Sequence, residues 1–388
     1  MARRPLKLGL IVFLGEFVRT GLLVTLLPAL CTGDWHVGLA AAAWAISAHY
    51  LVDTLGRAPA GWLVDRSGTR QVLLAGMGLA LAALCLLFVL GGHHVPLYLL
   101  TGLYGIGTAP LWPATVTEAT GDRRQTAASV MGYVFAAWLV GAGLGPVLTD
   151  GALHAHLALA YGLLLAGQVA VVLWAPRVTG LTPRLRRPAT PWRALGRAIW
   201  HVRPLLPGMF AQTLTLGLFL PILTLFAQDV LHLGPVGYAE LLFGAGGVAV
   251  LLMVPLGRLA DRVGVRAPLV VGFALAAVAV ALLGGSRSLA AALGFGALAA
   301  LAYALILPAW NSLLASVAPG GAEGSLWGVF MSIEGLGLAV GPVLGAQAWQ
   351  AMGTRGPFLV GAAVLGAMAV FYVSYPVQRL GRPPVGAD

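Results

Sequence analysis

Five ionisable residues stand in stretches of chain that are otherwise apolar. Glu16 and Arg19 fall in the first such stretch, and His49, Asp53 and Arg57 in the second. Spacings of three and four put each set on one face of its helix. Ionisable groups inside membrane helices are costly and mark substrate or proton pathways by default. A buried carboxylate such as Glu16 or Asp53 exchanges a proton when a substrate or a partner arginine moves. Arginine holds polar headgroups through charge-assisted hydrogen bonds. His49, one turn from Asp53, can join a relay. The competing reading is a structural network that locks two helices, although apolar packing usually does that as well.

The depths of these groups match. Counting inward from Lys7 and from Asp65, Glu16 lies 9 residues in and Arg57 lies 8, while Arg19 and Asp53 each lie 12 in. At about 1.5 Å per residue, the four charges occupy two levels with opposite signs at each. If the two helices are neighbours, Glu16 is expected to face Arg57 and Arg19 to face Asp53. The set is neutral when fully ionised, which makes burial tolerable.

The elements that must carry these residues are membrane spans. The chain has 388 residues, 59% hydrophobic and 9% charged, where soluble domains carry about 25% charged residues. That excludes a soluble enzyme, a nucleic-acid-binding domain and a disordered chain. A spanning helix needs about 20 mostly apolar residues. Twelve stretches qualify, near 7–30, 37–64, 72–91, 96–118, 126–149, 156–175, 202–230, 236–260, 268–286, 289–316, 324–349 and 356–376. The basic N-terminus runs straight into the first of them, so it reads as a retained helix and not a cleaved leader.

Charge placement orients the spans. Of 23 Lys+Arg, all but Arg19, Arg57, Arg287 and Arg355 lie at the termini, in the 2–3, 4–5 and 8–9 loops, or in and beside 176–201. The positive-inside rule then puts both ends in the cytoplasm of a multi-pass plasma-membrane protein. The net charge of +10 is an orientation signal with some affinity for anionic membrane lipid, and nucleic acid is not expected as a partner. Residues 176–201, rich in arginine and proline, read as a cytoplasmic basic linker with a short amphipathic helix near Trp192–Trp200. Six histidines, His36, His93, His94, His154, His156 and His232, fall near the opposite face. They read as cheap polar loop residues, with external pH sensing as the alternative.

The two halves repeat. Gly61-Trp-Leu-Val-Asp65-Arg66-Ser-Gly68-Thr-Arg70 recurs as Gly257-Arg-Leu-Ala-Asp261-Arg262-Val-Gly264-Val-Arg266, an offset of 257 − 61 = 196. Gly132, Gly141, Gly145 and Pro146 recur at the same offset as Gly328, Gly337, Gly341 and Pro342. An offset near half the chain length implies an internal duplication. The expected architecture is an all-α membrane protein of twelve transmembrane helices in two six-helix bundles, 1–175 and 202–388. A substrate site near mid-membrane is the usual companion of such repeats.

At these residues the chain resembles the major facilitator superfamily. The run from Gly61 to Arg70 matches that family's loop signature after its second helix. The resemblance implies a cytoplasmic gate in which Gly61 and Gly68 allow close approach and a tight turn, while Asp65, Arg66, Arg70, Asp261 and Arg262 form a latching charge cluster. The fifth and eleventh spans match the glycine–proline pattern associated with the family's antiporters. Gly141, Gly145 and Pro146 carry it in one and Gly337, Gly341 and Pro342 in the other, though Thr149 replaces the last glycine of the first. Small residues let backbones pack closely, and proline bends the helix. Thr101 stands where many proton-coupled relatives place arginine, so coupling through that arginine does not carry over.

The second half does not repeat the charges: at the same offset Glu16 becomes Gln212, Arg19 becomes Thr215 and Asp53 becomes Ala249. Its acids inside spans are Glu240 and Glu334. A cavity charged on the N-terminal wall and apolar on the C-terminal wall suits an amphiphile. Trp112, in Pro110-Leu-Trp112-Pro113, and Trp310, in Pro308-Ala-Trp310, are expected to line it. Glu16, Arg19, Asp53 and Trp112 further resemble the family's glycolipid-flipping branch in Gram-positive bacteria, which supplies the diglucosyl-diacylglycerol anchor of lipoteichoic acid. That resemblance implies a sugar headgroup held in the N-terminal half, coupled to protons, with acyl tails against the C-terminal half. Proton-coupled efflux of drugs or small amphiphiles is the open alternative. No catalytic motif, cofactor or metal-ligating cluster is present in the sequence, and a monomer is expected.

Overall fold

A computed structural model describes residues 3–120, 127–178, 200, 203–317 and 323–375, with a few side chains inside those stretches left out. Among the described residues every regular element is helical. The chain opens with α1 (Arg3–Thr20), which runs on through a π-helical segment Gly21–Leu26 into α2 (Leu27–Thr32). Then come α3 (Leu39–Ser67), α4 (Thr69–Leu90), α5 (His94–Thr108), α6 (Leu111–Thr120), α7 (Ala127–Ala155) and α8 (Leu157–Val178). The later helices are α9 (Leu206–Phe219), α10 (Pro235–Val263), α11 (Arg266–Gly284), α12 (Leu289–Val317), α13 (Glu323–Met352) and α14 (Gly356–Ser374). Between α9 and α10 lie a turn of helix at Leu223–Leu225 and a second π-helical segment, Phe226–Val230.

The duplication is visible in the helix bounds. Adding 196 to Leu39–Ser67 gives 235–263, the bounds of α10. Prolines 59 and 255, inside those two helices, obey the same offset. So do the backbone specials. Gly68 and Gly264, which end α3 and α10, have φ of 92° and 82°, a region in which only glycine is comfortable. His36 and His232 follow the first and seventh apolar stretches at the same offset and have φ of 51° and 54°. Histidine is among the non-glycine residues that tolerate this left-handed turn best.

Eight helices among the described residues are long and apolar enough to cross a membrane. They become nine when Arg203–Phe219 and Leu223–Val230, bent by 52°, count as one. Twelve such spans were expected, and three stretches depart for identifiable reasons. Helix α3 spends its mid-length on Ser47, His49, Asp53 and Arg57. The stretch expected as one helix over 96–118 is broken between Thr108 and Leu111, at Pro110, which has no N–H to continue the helix. Helix α13 is long, but the side chains of its first eight residues lie outside the described set. Large apolar side chains stand exposed along several helices, among them Val89, Leu99, Leu251 and Val370, the dress of helices that meet lipid.

The chain divides into two compact units. Unit 1 is residues 1–187 with 220–225 and 338–346; unit 2 is 188–219, 226–337 and 347–388. Close backbone approach organises unit 1. A Cβ on Gly105 of α5 would lie 2.5 Å from the His49 carbonyl oxygen of α3. One on Gly107 would lie 2.5 Å from the Ala80 nitrogen of α4. On α7, Gly141 faces the Phe13 carbonyl, and Gly145 faces the Phe17 carbonyl and the Thr20 hydroxyl of α1. The expected glycine–proline motif thus seats α7 directly on α1. Beside it Thr25, in the π-helical segment, donates to the Pro146 carbonyl at 3.3 Å, and Thr224 donates to the Val24 carbonyl at 2.9 Å.

Gly145→Val should therefore lower stability by about 1–3 kcal/mol through overpacking against α1. Gly162→Val on α8, where a Cβ meets nothing within 4 Å, should leave the melting temperature of the purified protein unchanged. Equal melting temperatures for the two variants would contradict the packing.

Candidate functional site

The charged residues of α1 and α3 come together with α5 and α6 in unit 1. The tight α3–α5 contact at Gly105 sets Tyr104 beside His49, ring centroids 5.3 Å apart. The break at Pro110 starts α6 at Leu111. Gly15 makes room there, since its Cβ would lie 2.6 Å from a Leu111 methyl. Trp112 then reaches α1, and its indole N–H donates to Glu16 Oε1 at 3.3 Å.

The ion pairs differ from the expected cross-helix arrangement. Arg19 donates to Glu16 Oε2 at 2.6 Å, and Arg57 donates to Asp53 Oδ2 through Nη2 at 2.6 Å and Nε at 3.1 Å. Each acid is held by the arginine one turn further along its own helix, and the pairings Glu16–Arg57 and Arg19–Asp53 are not the hydrogen-bonded ones. The physical reason is reach. The i,i+3 and i,i+4 spacings that put the groups on one face also let a long guanidinium fold back along the helix, without spanning the gap between helices. Across that gap Arg19 lies over the Tyr50 ring, 5.6 Å from its centroid.

Burial is unequal within each pair. The acids are sealed, with side chains 1% and 3% exposed for Glu16 and Asp53, while Arg19 and Arg57 keep 12% and 17%. The guanidinium is thus the more accessible member of each pair. Arg19 Nε and the Tyr104 hydroxyl are buried without a hydrogen-bond partner, and buried polar groups are rarely left so unless a ligand or water serves them. His49 is fully buried between Tyr50 and Tyr104. Sequence reasoning missed Tyr50, Tyr104 and Gly105. Tyrosines in an apolar helix carry no signal that separates site from packing, and only the geometry brings these two to the charges.

The other expected site residues fall in different places. Trp310 is 1% exposed and packs edge-on against Tyr372 at 6.1 Å. The expectation that it lines a cavity is thereby corrected: its neighbours on α9 and α14 enclose it. Glu240, expected as a buried acid, is exposed, because it lies only five residues from the start of α10. Gln212 and Glu334 meet inside unit 2, with Gln212 Nε2 at 3.4 Å from Glu334 Oε1. Both were expected to line the cavity from that half, and the structure brings them together. Of the gate residues, Arg66 is exposed with its guanidinium 5.2 Å from the Trp62 ring, and Arg70 and Arg262 are exposed. The side chains of Asp65 and Asp261 lie outside the described set, as does nearly all of the 176–201 linker, and the surroundings of Gly132 and Gly328 are likewise outside it. Gly337 packs on α9 as Gly145 packs on α1, with a Cβ that would meet Thr213 and the Leu214 nitrogen.

Comparison with known proteins gives this arrangement its class. The family model of the Major Facilitator Superfamily matches residues 8–256 and 205–387. The chain belongs to that superfamily, a multi-pass membrane transporter class. It is 27% identical over 376 residues to the proton-coupled antiporter flippase LtaA of Staphylococcus aureus strains including MSSA476 and USA300, covering 94% of this chain and 93% of the relative. Among solved structures it resembles the nucleoside transporter NupG, with TM-score 0.76 at 12% identity over 96% of this chain and 98% of that one. It also resembles the human organic anion transporter MFSD10, with TM-score 0.71 at 19% identity over 96% and 99%.

Removing one member of the Glu16–Arg19 pair leaves a buried charge uncompensated. Arg19→Gln or Glu16→Gln alone should cost about 3 kcal/mol or more, and the double variant less than the sum. Thermal unfolding of the four proteins checks this; additive costs would mean that the pair is not coupled.

Proposed function

We propose that this protein is a proton-coupled antiporter that flips a glycolipid or similar amphiphile across the plasma membrane by alternating access, with both termini cytoplasmic. The observation that carries the reading is the contrast inside unit 1: two sealed carboxylates, each bonded by a partly open arginine. Such a pair lets one element do two jobs. A sugar headgroup bonds to the guanidinium and, through its hydroxyls, to the ionised carboxylate beside it. A proton on that carboxylate removes the charge that holds the hydroxyls and so weakens the hold on the headgroup. Proton binding and headgroup binding become alternatives at the same pair, which is what antiport requires.

Arg19, with a spare Nε donor, and the free Tyr104 hydroxyl supply headgroup contacts. Trp112, buried in the unit-1 core, holds Glu16 in place through its indole N–H. Glu16, Arg19, His49, Asp53 and Arg57 are the residues assigned to coupling and recognition. The similarity to the S. aureus flippase along nearly the full length of both chains supports the same reading. Lipid and protons are the partners, with no cofactor.

The test is reconstitution in liposomes with labelled diglucosyl-diacylglycerol and, in parallel, a cationic dye, with and without a pH gradient. Glycolipid should be translocated only with the gradient. Asp53→Asn should bind it and lose gradient-driven transport by about a hundredfold or more, as expected for removal of an essential proton carrier. Gradient-driven movement of the dye alone would make efflux of small amphiphiles the correct account. Full gradient-driven transport by Asp53→Asn would remove that acid from the coupling.

A further inference from the structure

Unit 2 holds a polar pair of its own at the place that the duplication makes equivalent to Glu16. Residue 16 + 196 is Gln212, on α9, and its side chain is 8% exposed. Its Nε2 lies 3.4 Å from Glu334 Oε1 of α13. Its Oε1 is buried with no hydrogen-bond partner. An amide of α9 and a carboxylate of α13 therefore meet inside one unit, and the phenol of Tyr303, on α12, is within electrostatic reach of that carboxylate. Close packing fixes α9 against α13, because a Cβ on Gly337 would run into Thr213 and the Leu214 nitrogen.

Burying an amide oxygen without a partner costs about 1–3 kcal/mol, and helix packing alone gives no reason to accept it. The group is served when a donor arrives. We infer that Gln212, Glu334 and Tyr303 form a second polar subsite, within unit 2, that binds hydroxyl groups of an uncharged sugar headgroup. The inference deepens the glycolipid reading given above and rests on it for the identity of the headgroup.

The chemistry selects hydroxyls over an ammonium group. Gln212 Oε1 and the Glu334 carboxylate accept, while the Tyr303 hydroxyl and Gln212 Nε2 donate. A sugar hydroxyl donates and accepts at once, so vicinal hydroxyls satisfy both kinds of group. An ammonium group only donates, and would leave the phenol and amide N–H donors facing a cation. The consequence is that polar recognition is not confined to the charged helices of unit 1.

The full-length protein in nanodiscs, titrated with diglucosyl-diacylglycerol and separately with ethidium, tests this by equilibrium binding, apart from any transport assay. Gln212→Leu, Glu334→Gln and Tyr303→Phe should each weaken glycolipid binding, the first two about tenfold, as expected for hydrogen bonds at a buried site. Ethidium binding should be unchanged. Tyr303→Phe removes a single oxygen and keeps the ring, so its result stands even if a larger change unfolds the protein, which thermal melting reports. Unchanged glycolipid affinity in all three variants overturns the subsite. Equal or greater loss of ethidium binding overturns the hydroxyl assignment in favour of a cation site, and so does wild-type protein that binds only ethidium. Glycolipid binding that responds to these variants, in a protein that shows no gradient-driven flipping, overturns the transport reading and leaves the subsite standing.

Discussion

The structure depends on one constraint: four charges must be kept inside helices that meet lipid, where each uncompensated charge costs several kcal/mol. The solution is local. Glu16 is neutralised by Arg19 and Asp53 by Arg57, each within its own helix and each at 2.6 Å. A pairing within one helix survives when neighbouring helices shift, and a pairing between helices does not. The acids thus keep a partner through any movement of α1 against α3, and each arginine can leave its acid without a change in backbone. Each of the two bonds is therefore one that a polar ligand can compete for.

Glycine supplies the second requirement, which is closeness. The α3–α5 contact at Gly105 leaves no space for a Cβ beside the His49 carbonyl, and it is this contact that sets the Tyr104 ring against His49. Gly15 does the same for Leu111, so that Trp112 reaches Glu16. In membranes, where burial of apolar surface drives little helix association, such close van der Waals approach carries the packing. The site's geometry therefore follows from glycines at least as much as from its charges.

The sequence made some of this legible and hid the rest for physical reasons. The 196-residue offset was readable because duplicated turns keep their glycines. The bounds of α3 and α10, and the positive φ of Gly68 and Gly264, follow it to the residue. The nearness of Glu16, Arg19, Asp53 and Arg57 was readable because charge in an apolar helix stands out, while Trp112 joined them only through the family resemblance. Which acid takes which arginine was not readable. Matched depths constrain height along the membrane and say nothing of rotation about each helix axis. The break at Pro110 was hidden because hydropathy is blind to a missing N–H when the flanking residues stay apolar. Trp310 was misplaced for the converse reason: a tryptophan beside a proline looks alike whether it lines open space or, as here, packs against Tyr372.

The duplication also explains why the two units differ where they do. Two copies of a six-helix unit begin with the same residue at each equivalent position, and later substitutions are tolerated only where the local charge balance allows. Position 212 is glutamine where unit 1 has Glu16, and position 215 is threonine where unit 1 has Arg19. Neither unit therefore carries one half of that pair alone, which would leave a buried charge unpaired. Glu334 on α13 then stands beside Gln212, so unit 2 keeps hydrogen-bonding capacity at that level without the α9 ion pair. The duplicated scaffold thus yields one unit with ion pairs inside its helices and another with a neutral amide beside a carboxylate. That division follows from which of two equivalent positions kept its charge, with no change in the helices that carry them.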